Sequence, residues 1–194
     1  PYHTMNLNFG RGDKEENVRE NFRIFCNASG IDPDSLVASA QTHTVNLLRV
    51  GVEHRGAGIW KAKNWTDIDG LLTNEAGVTL VTYYADCVPL FFVDPVHKAV
   101  GLAHSGWKGT AARIGACMVQ RMQHEFGTNP EELKAAVGPS IGPCCYEVDR
   151  PVMEVFKRME DLEPECFITQ KSCEKYMVDL WEANRRILLS AGIP

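Results

Sequence analysis

The centre of the chain, residues 78–110, reads VTLVTYYADCVPLFFVDPVHKAVGLAHSGWKGT. Apolar runs rich in β-branched and aromatic residues predict three buried strands here, over 78–84, 88–93 and 99–103. Cys87 lies where the second strand begins and His104 lies where the third ends, so a hairpin of these strands brings the two side chains together. A thiol and an imidazole held by rigid strands at a loop edge suit either a metal site or a nucleophile–base pair.

Bulk composition places the chain among ordinary globular proteins. Its 194 residues, of which 44% are hydrophobic, are enough for a core, and we predict a single domain over 1–194. A net charge of −5 argues against nucleic acid as a partner. No apolar run approaches the roughly 20 residues that span a bilayer, which argues against a membrane partner. Seven cysteines without regular spacing indicate free thiols in a reducing compartment, which favours a cytoplasmic location.

Patterns on either side of the centre predict a mixed α/β or α+β fold, with strands in the middle and helices flanking them. Residues 1–12 are predicted to be extended or loop. Helices are predicted over 13–29, with Asp13 and Glu16 as a capping pair, over 110–126 and 151–159, and from Asp179 onwards. Further strands are predicted over 36–40, 45–50, 71–73, 134–137 and 144–148, the first two forming a hairpin-like pair around His43.

His43 also lies at a predicted strand edge, and with Cys87 and His104 it completes a set of two imidazoles and one thiol. Three such ligands with one open position are typical of catalytic zinc, and copper is chemically possible as well. A metal there would lower the pKa of bound water toward about 7. Spacing alone favours this hypothesis no more than the alternative that the three residues are unrelated core or surface positions.

A second hypothesis uses Cys87 and His104 alone, as nucleophile and base, with Asp86 or Ser105 nearby. Asp86 is also a candidate carboxylate for orienting His43 or His104, since imidazole ligands commonly donate their second N–H to a carboxylate.

Two glycine-rich loops are candidate ligand-binding segments. The first, 106–110, precedes the predicted helix, so backbone N–H groups near Gly109, helped by Lys108, could bind phosphate. A tight turn that only glycine fits is the more common use of such a segment. The second, 138–145, is stiff, contains Ser140 and could line a pocket, while its two adjacent cysteines are expected to be packed or free thiols.

Four motifs in this order resemble the YfiH/YlmD family, labelled purine nucleoside phosphorylase and formerly multicopper polyphenol oxidase (laccase-like). The motifs are Gln41-Thr42-His43, Ala85-Asp86-Cys87-Val88-Pro89, the segment AHSGWKG at 103–109 and the segment GPSIGPCCYEV at 138–148. The resemblance runs over nearly the whole chain, from Asn6 to the helix that follows Asp179. By resemblance, the family would also be expected to begin with a strand ahead of Pro1 and to continue beyond Pro194.

The resemblance implies a layered α-β-β-α fold, similar to the catalytic domain of a bacterial deamidating toxin, in a generally cytosolic protein. It implies a metal, usually zinc, held by His43, Cys87 and His104. The implied activities are phosphorolysis of adenosine, inosine, guanosine and methylthioadenosine, together with adenosine deamination. Two residues depart from the family pattern: Ser105 stands where alanine is usual, and Lys108 where arginine, with its bidentate fork, is common.

The leading hypothesis is therefore a zinc enzyme whose partners are a purine nucleoside and phosphate. Substrate contacts are expected from Gln41, Asp86, Lys108, Gly109 and Ser140. The alternatives are a copper oxidase of phenols, a metal-free Cys/His hydrolase, and a binding module with a structural metal. In the last of these, Cys144 or Cys145 would close the fourth ligand position.

Overall fold

The fold is mixed α/β in a computed structural model that describes residues 4–194, so the first three residues of the predicted 1–12 loop lie outside it. Residues 4–194 contain five α-helices: α1 (Glu15–Ser29), α2 (Trp107–Ala111), α3 (Ile114–Phe126), α4 (Arg150–Lys157) and α5 (Leu180–Ser190). Short 3-10 turns occupy Phe9–Arg11, Pro33–Ser35, Val52–His54, Glu160–Leu162 and Pro164–Cys166.

Ten strands form three sheets in the part of the chain that the structure describes. They are β1 (Leu36–Ala38), β2 (Leu47–Arg49), β3 (Gly70–Thr73), β4 (Thr79–Val81), β5 (Val88–Asp94), β6 (Ala99–Ser105), β7 (Lys134–Val137), β8 (Glu147–Asp149), β9 (Ile168–Gln170) and β10 (Lys175–Val178). The main sheet has the order β2-β3-β6-β5-β7, a second has the order β8-β10-β9, and β1 pairs with β4.

The predicted central hairpin is confirmed as the antiparallel pair β5 and β6. Pro89 lies opposite His104 in its register, and Val88 lies opposite Ser105. Cys87, one residue ahead of β5, is thus held at the same end of the sheet as His104. The strand β6 extends through Ser105, two residues beyond its predicted end.

Helix α1 covers one side of β1, and the main sheet lies against the other side. On the α1 side, the helix contributes Val18, Phe22 and Cys26. These pack against Leu36 and Ala38 of β1 and against Ile59. Val37 points the opposite way, because side chains alternate along a strand, and it packs against Leu71 of β3. The strand β1 is therefore buried on both sides, whereas its partner β4 is half-buried.

The far side of the main sheet carries the largest core. Leu72, the neighbour of Leu71 in β3, faces this core together with residues of β5, α3 and α5, namely Leu90, Phe92, Ile114, Met118, Met122 and Ile187. The order of layers is α1, the β1–β4 sheet, the main sheet, and then α3 with α5. This order is the predicted α-β-β-α arrangement.

The predicted hairpin of strands around His43 is wrong. The strand β1 pairs in parallel with β4, and β2 pairs in parallel with β3. Both strands are also shorter than predicted, and the segment between them forms the loop that carries His43. Parallel partners lie far along the chain, so local patterning does not reveal them.

The predicted helix over 110–126 is two helices. It begins earlier, at Trp107, and breaks at Arg113, whose φ of 61° is left-handed. The predicted capping pair at α1 is also wrong, because Lys14 is the N-cap and makes no side-chain capping bond. The Asp13 carboxylate instead accepts hydrogen bonds from the backbone of Lys14 and from the side chains of Asn6 and Asn17.

Several other boundaries differ from the sequence prediction. The strand expected over 78–84 is limited to β4, because the backbone N–H of Tyr83 donates to the Gln41 side chain. The strand expected over 144–148 begins only at Glu147, since residues 145 and 146 both turn back onto the Gly142 carbonyl. The helix expected over 151–159 occupies 150–157.

Within residues 4–194, none of the helices has both the length and the apolar character that crossing a bilayer requires.

Candidate functional site

Three potential metal ligands converge at one end of the β5–β6 hairpin, from the loop between β1 and β2, the residue ahead of β5, and the end of β6. The ligand atoms of His43, Cys87 and His104 all lie within 4.8 Å of one another, and residues 4–194 hold one such cluster. Cys87 Sγ lies 3.8 Å from His43 Nε2, and the two imidazole rings are 4.9 Å apart in an edge-to-face arrangement. His43 is exposed, Cys87 is half-buried and His104 is buried, so the cluster opens to solvent on one side.

A buried carboxylate, Asp69, fixes two of these ligands. Its side chain accepts hydrogen bonds from the backbone N–H groups of Thr42, His43 and Thr44, from the Thr44 hydroxyl, and from His104 Nδ1 at 2.8 Å. The carboxylate therefore shapes the loop in which His43 adopts a φ of 66°. Burial alone would raise the pKa of Asp69, but these hydrogen bonds outweigh burial and hold its pKa well below the usual value.

The environment of His104 leaves Nε2 as its free ring nitrogen. Nδ1 is engaged by Asp69, and the side chain is almost fully buried. Burial by itself lowers the pKa of His104, but the hydrogen bond to Asp69 and the neighbouring Cys87 thiol raise the pKa to about 9. Tyr84 lies beside the ring, with centroids 5.6 Å apart, and its hydroxyl donates to the Ala103 carbonyl at 3.2 Å.

Gly106 forms the wall of the cluster next to Cys87 and His43. A Cβ atom at this position would lie 2.9 Å from Cys87 Sγ and 2.9 Å from His43 Cδ2. Atoms at that distance clash, so the absence of a side chain lets the ligands approach the start of α2. A tight turn was predicted here, and the close approach to the ligands explains why glycine is required.

The donor set fits a zinc ion. Zn–S of about 2.3 Å and Zn–N of about 2.0–2.1 Å at a tetrahedral angle place a sulfur and a nitrogen ligand about 3.6 Å apart. The observed separation of Cys87 Sγ and His43 Nε2, 3.8 Å, is close to this value. Cys144 and Cys145 are not part of the cluster, so the described residues supply three convergent ligands.

The carboxylate predicted to orient a histidine, Asp86, does not do so. Asp86 is exposed, and its backbone carbonyl accepts a hydrogen bond from Ile141 N. Asp69 takes the orienting role. The pair Asp67 and Asp69 immediately before a strand marks a polar turn at a strand edge, as at the three ligand candidates. No feature of the neighbouring sequence, however, indicates that this turn contacts His104.

The other predicted substrate residues are distributed around the cluster. The Gln41 amide donates to the Tyr83 carbonyl and accepts from Tyr83 N, both at 2.7 Å, so it joins two segments. Lys108 is exposed, with Nζ 5.7 Å from the Trp107 ring, whereas Gly109 is buried against the His104 carbonyl. Ser140 Oγ accepts a hydrogen bond from the Trp181 indole at 2.5 Å.

A groove of about 680 Å³, lined by both apolar and polar side chains, begins beside the His43 loop. Its lining residues include Gln41, Thr42, Lys63, Trp65, Asp67 and Tyr83. Lys63 Nζ donates to the Ser39 carbonyl, and its partial burial lowers its pKa. The predicted residue Gln41 is thus part of a groove, and its neighbours Lys63 and Trp65 were missed because residues 51–66 show no periodic pattern.

The fold and the ligand cluster agree with comparisons to known proteins. The whole chain, residues 1–194, matches the family model described as multi-copper polyphenol oxidoreductase laccase. The chain belongs to this family. The crystal structure of the hypothetical protein YfiH from Bacillus licheniformis superimposes with a TM-score of 0.94 at 34% identity, covering 100% of this chain and 73% of that one.

Two curated relatives in this family carry enzyme names. Purine nucleoside phosphorylase YlmD from Bacillus subtilis (strain 168) is 37% identical over 194 residues, which are 100% of this chain and 69% of the relative. Adenosine deaminase RL5, from an unknown prokaryotic organism, is 33% identical over 166 residues, covering 85% of this chain and 63% of the relative. The predicted membership of the YfiH/YlmD family is confirmed.

Proposed function

We propose that this chain is a zinc-dependent enzyme of purine nucleosides, acting as a phosphorylase and as an adenosine deaminase. The observation that carries the proposal is the convergence of His43, Cys87 and His104 on one point, with Asp69 holding both histidine segments. The names of the relatives YlmD and RL5 support the two reaction types.

The residues around the cluster would hold its three side chains in positions suited to a metal, independently of substrate. Asp69 fixes the tautomer of His104 by accepting from Nδ1, which directs Nε2 to the metal. Gly106 leaves the space that Cys87 and His43 need. When bound, zinc would supply Lewis acidity and would activate water for attack at the purine C6 position.

Phosphorolysis requires a nucleoside and a phosphate to meet beside the cluster, so that phosphate attacks the ribose C1′ while the base departs. We assign the nucleoside to the groove beside Thr42, where Trp65 and Tyr83 offer apolar faces and Gln41 fixes the Tyr83 backbone. We assign phosphate to the exposed ammonium of Lys108.

We propose supporting roles at the substrate site for three further residues. Asp86 and Ser140 belong to two segments joined by the hydrogen bond from Ile141 N to the Asp86 carbonyl, and we propose that they border the substrate site. Gly109 is proposed to shape the site through its contact with the His104 backbone, because it is buried. The substrates proposed for this site are adenosine, inosine, guanosine and methylthioadenosine.

A copper oxidase of phenols is the first alternative, and the family description favours it. Two imidazoles and one thiolate also suit a single copper ion. A multicopper enzyme needs further ligand groups, however, and residues 4–194 bring together one cluster of this kind.

A metal-free cysteine hydrolase is the second alternative. Cys87, His104 and Asp69 follow the order of nucleophile, base and orienting carboxylate, with Asp69 in the position for which Asp86 or Ser105 was predicted. This mechanism makes no use of His43, so replacement of His43 separates it from a metal enzyme.

The test is product analysis of the zinc-loaded protein incubated with adenosine, with and without phosphate. We expect adenine and ribose 1-phosphate only when phosphate is present, and inosine in both conditions. Cys87→Ala and His43→Ala should each abolish both reactions, whereas Cys173→Ala, an exposed cysteine outside the cluster, should leave them unchanged.

Each alternative predicts a different pattern. Retention of activity in His43→Ala, together with its loss in Cys87→Ala, would support the hydrolase. Oxidation of a phenol by the copper-loaded protein, without nucleoside turnover in the zinc form, would support the oxidase.

A further inference from the structure

Two adjacent thiols lie outside the metal cluster and have no role in the proposed reactions. Cys144 and Cys145 are both exposed, and their Sγ atoms are 3.1 Å apart. They lie in the loop 138–146 that joins β7 to β8, on a turn where Cys145 N and Tyr146 N both donate to the Gly142 carbonyl. The other five cysteines of the chain are distant from this pair in sequence.

A disulfide between adjacent residues is strained, and strain makes it easy to reduce. Neighbouring Cα atoms across a trans peptide are about 3.8 Å apart, which is shorter than the roughly 4.4 Å at the lower limit of ordinary disulfides. Strained, exposed disulfides have more oxidising potentials and are the labile or regulatory ones. Such a bond would form and break in response to small thiols, unlike a structural disulfide.

We propose that Cys144 and Cys145 form a reversible dithiol–disulfide site, and that its oxidation rearranges the loop 138–146. The oxidant is a low-molecular-weight disulfide of the glutathione class. One protein thiolate attacks a sulfur of oxidised glutathione and releases one glutathione thiolate, forming a mixed disulfide. The second protein thiolate attacks the protein sulfur of that mixed disulfide and releases the second glutathione. Two protein thiols are oxidised, one glutathione disulfide is reduced, and the two protons end on the released glutathiones.

The loop must respond because the peptide between the two cysteines is part of its turn. Closing the ring changes the orientation of that peptide, and with it the two hydrogen bonds to the Gly142 carbonyl. Ile141, one residue earlier, donates its N–H to the Asp86 carbonyl at 3.0 Å, next to Cys87. Oxidation of the pair would therefore shift the backbone of Asp86, which positions the neighbouring residue Cys87.

The fluorescence emission of Trp181 can be used to follow the conformation of the loop 138–146. A Cβ atom added at Gly142 would lie 3.5 Å from the Trp181 ring, and the indole N–H donates to Ser140 Oγ. The indole is 39% exposed, so its emission responds to displacement of the loop. The other three tryptophans are far from this loop in sequence, and Trp181→Phe isolates its contribution.

The experiment is incubation of the full chain with oxidised glutathione, followed by alkylation of free thiols, trypsin digestion and mass spectrometry. The tryptic peptide 135–157 contains Cys144 and Cys145 and no other cysteine, and the peptide 64–98 contains Cys87 alone. We expect peptide 135–157 to lose two hydrogens without a glutathione adduct, and reduced glutathione to restore both thiols. Trp181 emission should shift with oxidation and return on reduction, and the shift should be absent in Trp181→Phe.

Single variants provide the controls. Cys144→Ser and Cys145→Ser should each accumulate a glutathione adduct on peptide 135–157, whereas Cys173→Ser should behave as the parent. Stable glutathione adducts in the parent, or a cross-link from peptide 135–157 to Cys87, would overturn the proposed site. Formation of the disulfide without a change in Trp181 emission would overturn the loop rearrangement.

Discussion

At the scale of single residues, the Asp69 carboxylate links His43 and His104, the two proposed histidine ligands. It accepts from His43 N and from His104 Nδ1, and it is fully buried. Asp69→Asn replaces one acceptor oxygen by an NH2 group that opposes those donors. We expect zinc affinity to fall about 10–100-fold, as is common when an outer partner of a metal ligand is lost, measured by competition with a chelator. Asp67→Asn, an exposed carboxylate that accepts from Thr42 Oγ1, is the matched control and should keep the parent affinity. Equal losses in both variants would contradict the role given to Asp69.

Gly106 leads to a second prediction at this scale. Gly106→Ala places a methyl group 2.9 Å from Cys87 Sγ and from His43 Cδ2, so the two ligands must separate. We expect weaker zinc binding and slower nucleoside turnover, with an unchanged far-ultraviolet circular dichroism spectrum. Gly142→Ala is the control, because a Cβ there meets its nearest atom at 3.5 Å, an ordinary contact distance. A Gly106→Ala protein that binds zinc as tightly as the parent would show that the ligands do not depend on this approach.

At the scale of elements, a buried polar cluster joins β6, α2 and α5 behind the proposed metal site. Ser105 Oγ donates to Asn184 Oδ1 at 2.8 Å, and Asn184 Nδ2 donates to Thr110 Oγ1 at 3.2 Å and to the Leu180 carbonyl at 2.8 Å. Asn184→Ala removes these buried hydrogen bonds and leaves Ser105 Oγ with Thr110 Oγ1 as its remaining partner. We expect the free energy of unfolding to fall by about 1–3 kcal/mol, measured by urea denaturation. Asn64→Ala, at an exposed position, should fall within about 0.5 kcal/mol of the parent. A similar small effect for Asn184→Ala would mean that the cluster does not hold the elements together.

The elements also show which parts of the fold can be predicted from the sequence. The hairpin β5–β6 follows from its apolar runs, and its register places Cys87 near His104 as expected. The pairing of β1 was missed because its partner is a distant parallel strand, with Leu36 opposite Thr79. Periodicity identifies a strand but carries no information about such a partner.

At the scale of the whole molecule, the candidate site could also be predicted only in part, because contacts between distant segments are not visible in the sequence. The convergence of His43, Cys87 and His104 was predicted because each lies at a predicted strand edge beside a polar turn, and because their motifs resemble a known family. Asp69 was missed because its bond to His104 joins residues 35 positions apart. Such a contact depends on how β3 and β6 pair, with Gly70 opposite Ala103, and on the burial that follows from the layers.

The acid stability of the whole molecule depends on carboxylates such as Glu182, which pairs with Arg185 and Arg186 along α5, while Arg186 also bonds Glu163 and the Leu162 carbonyl outside the helix. Hydrogen bonds from Arg185, together with those from Arg186, lower the pKa of Glu182 from its usual 4.5 to about 2. Because the folded pKa is depressed, the stabilisation is complete above about pH 4.5 and disappears as the pH falls toward about 2. We expect Glu182→Gln to unfold at lower urea concentration than the parent near neutral pH, and the difference to shrink through this window.

Raising the salt concentration should reduce the difference, since the Glu182 side chain is 22% exposed. The exposed residue Glu16, changed to Gln, serves as the control. A difference that grows as the pH falls would reverse the sign of this argument and assign acid lability to other groups.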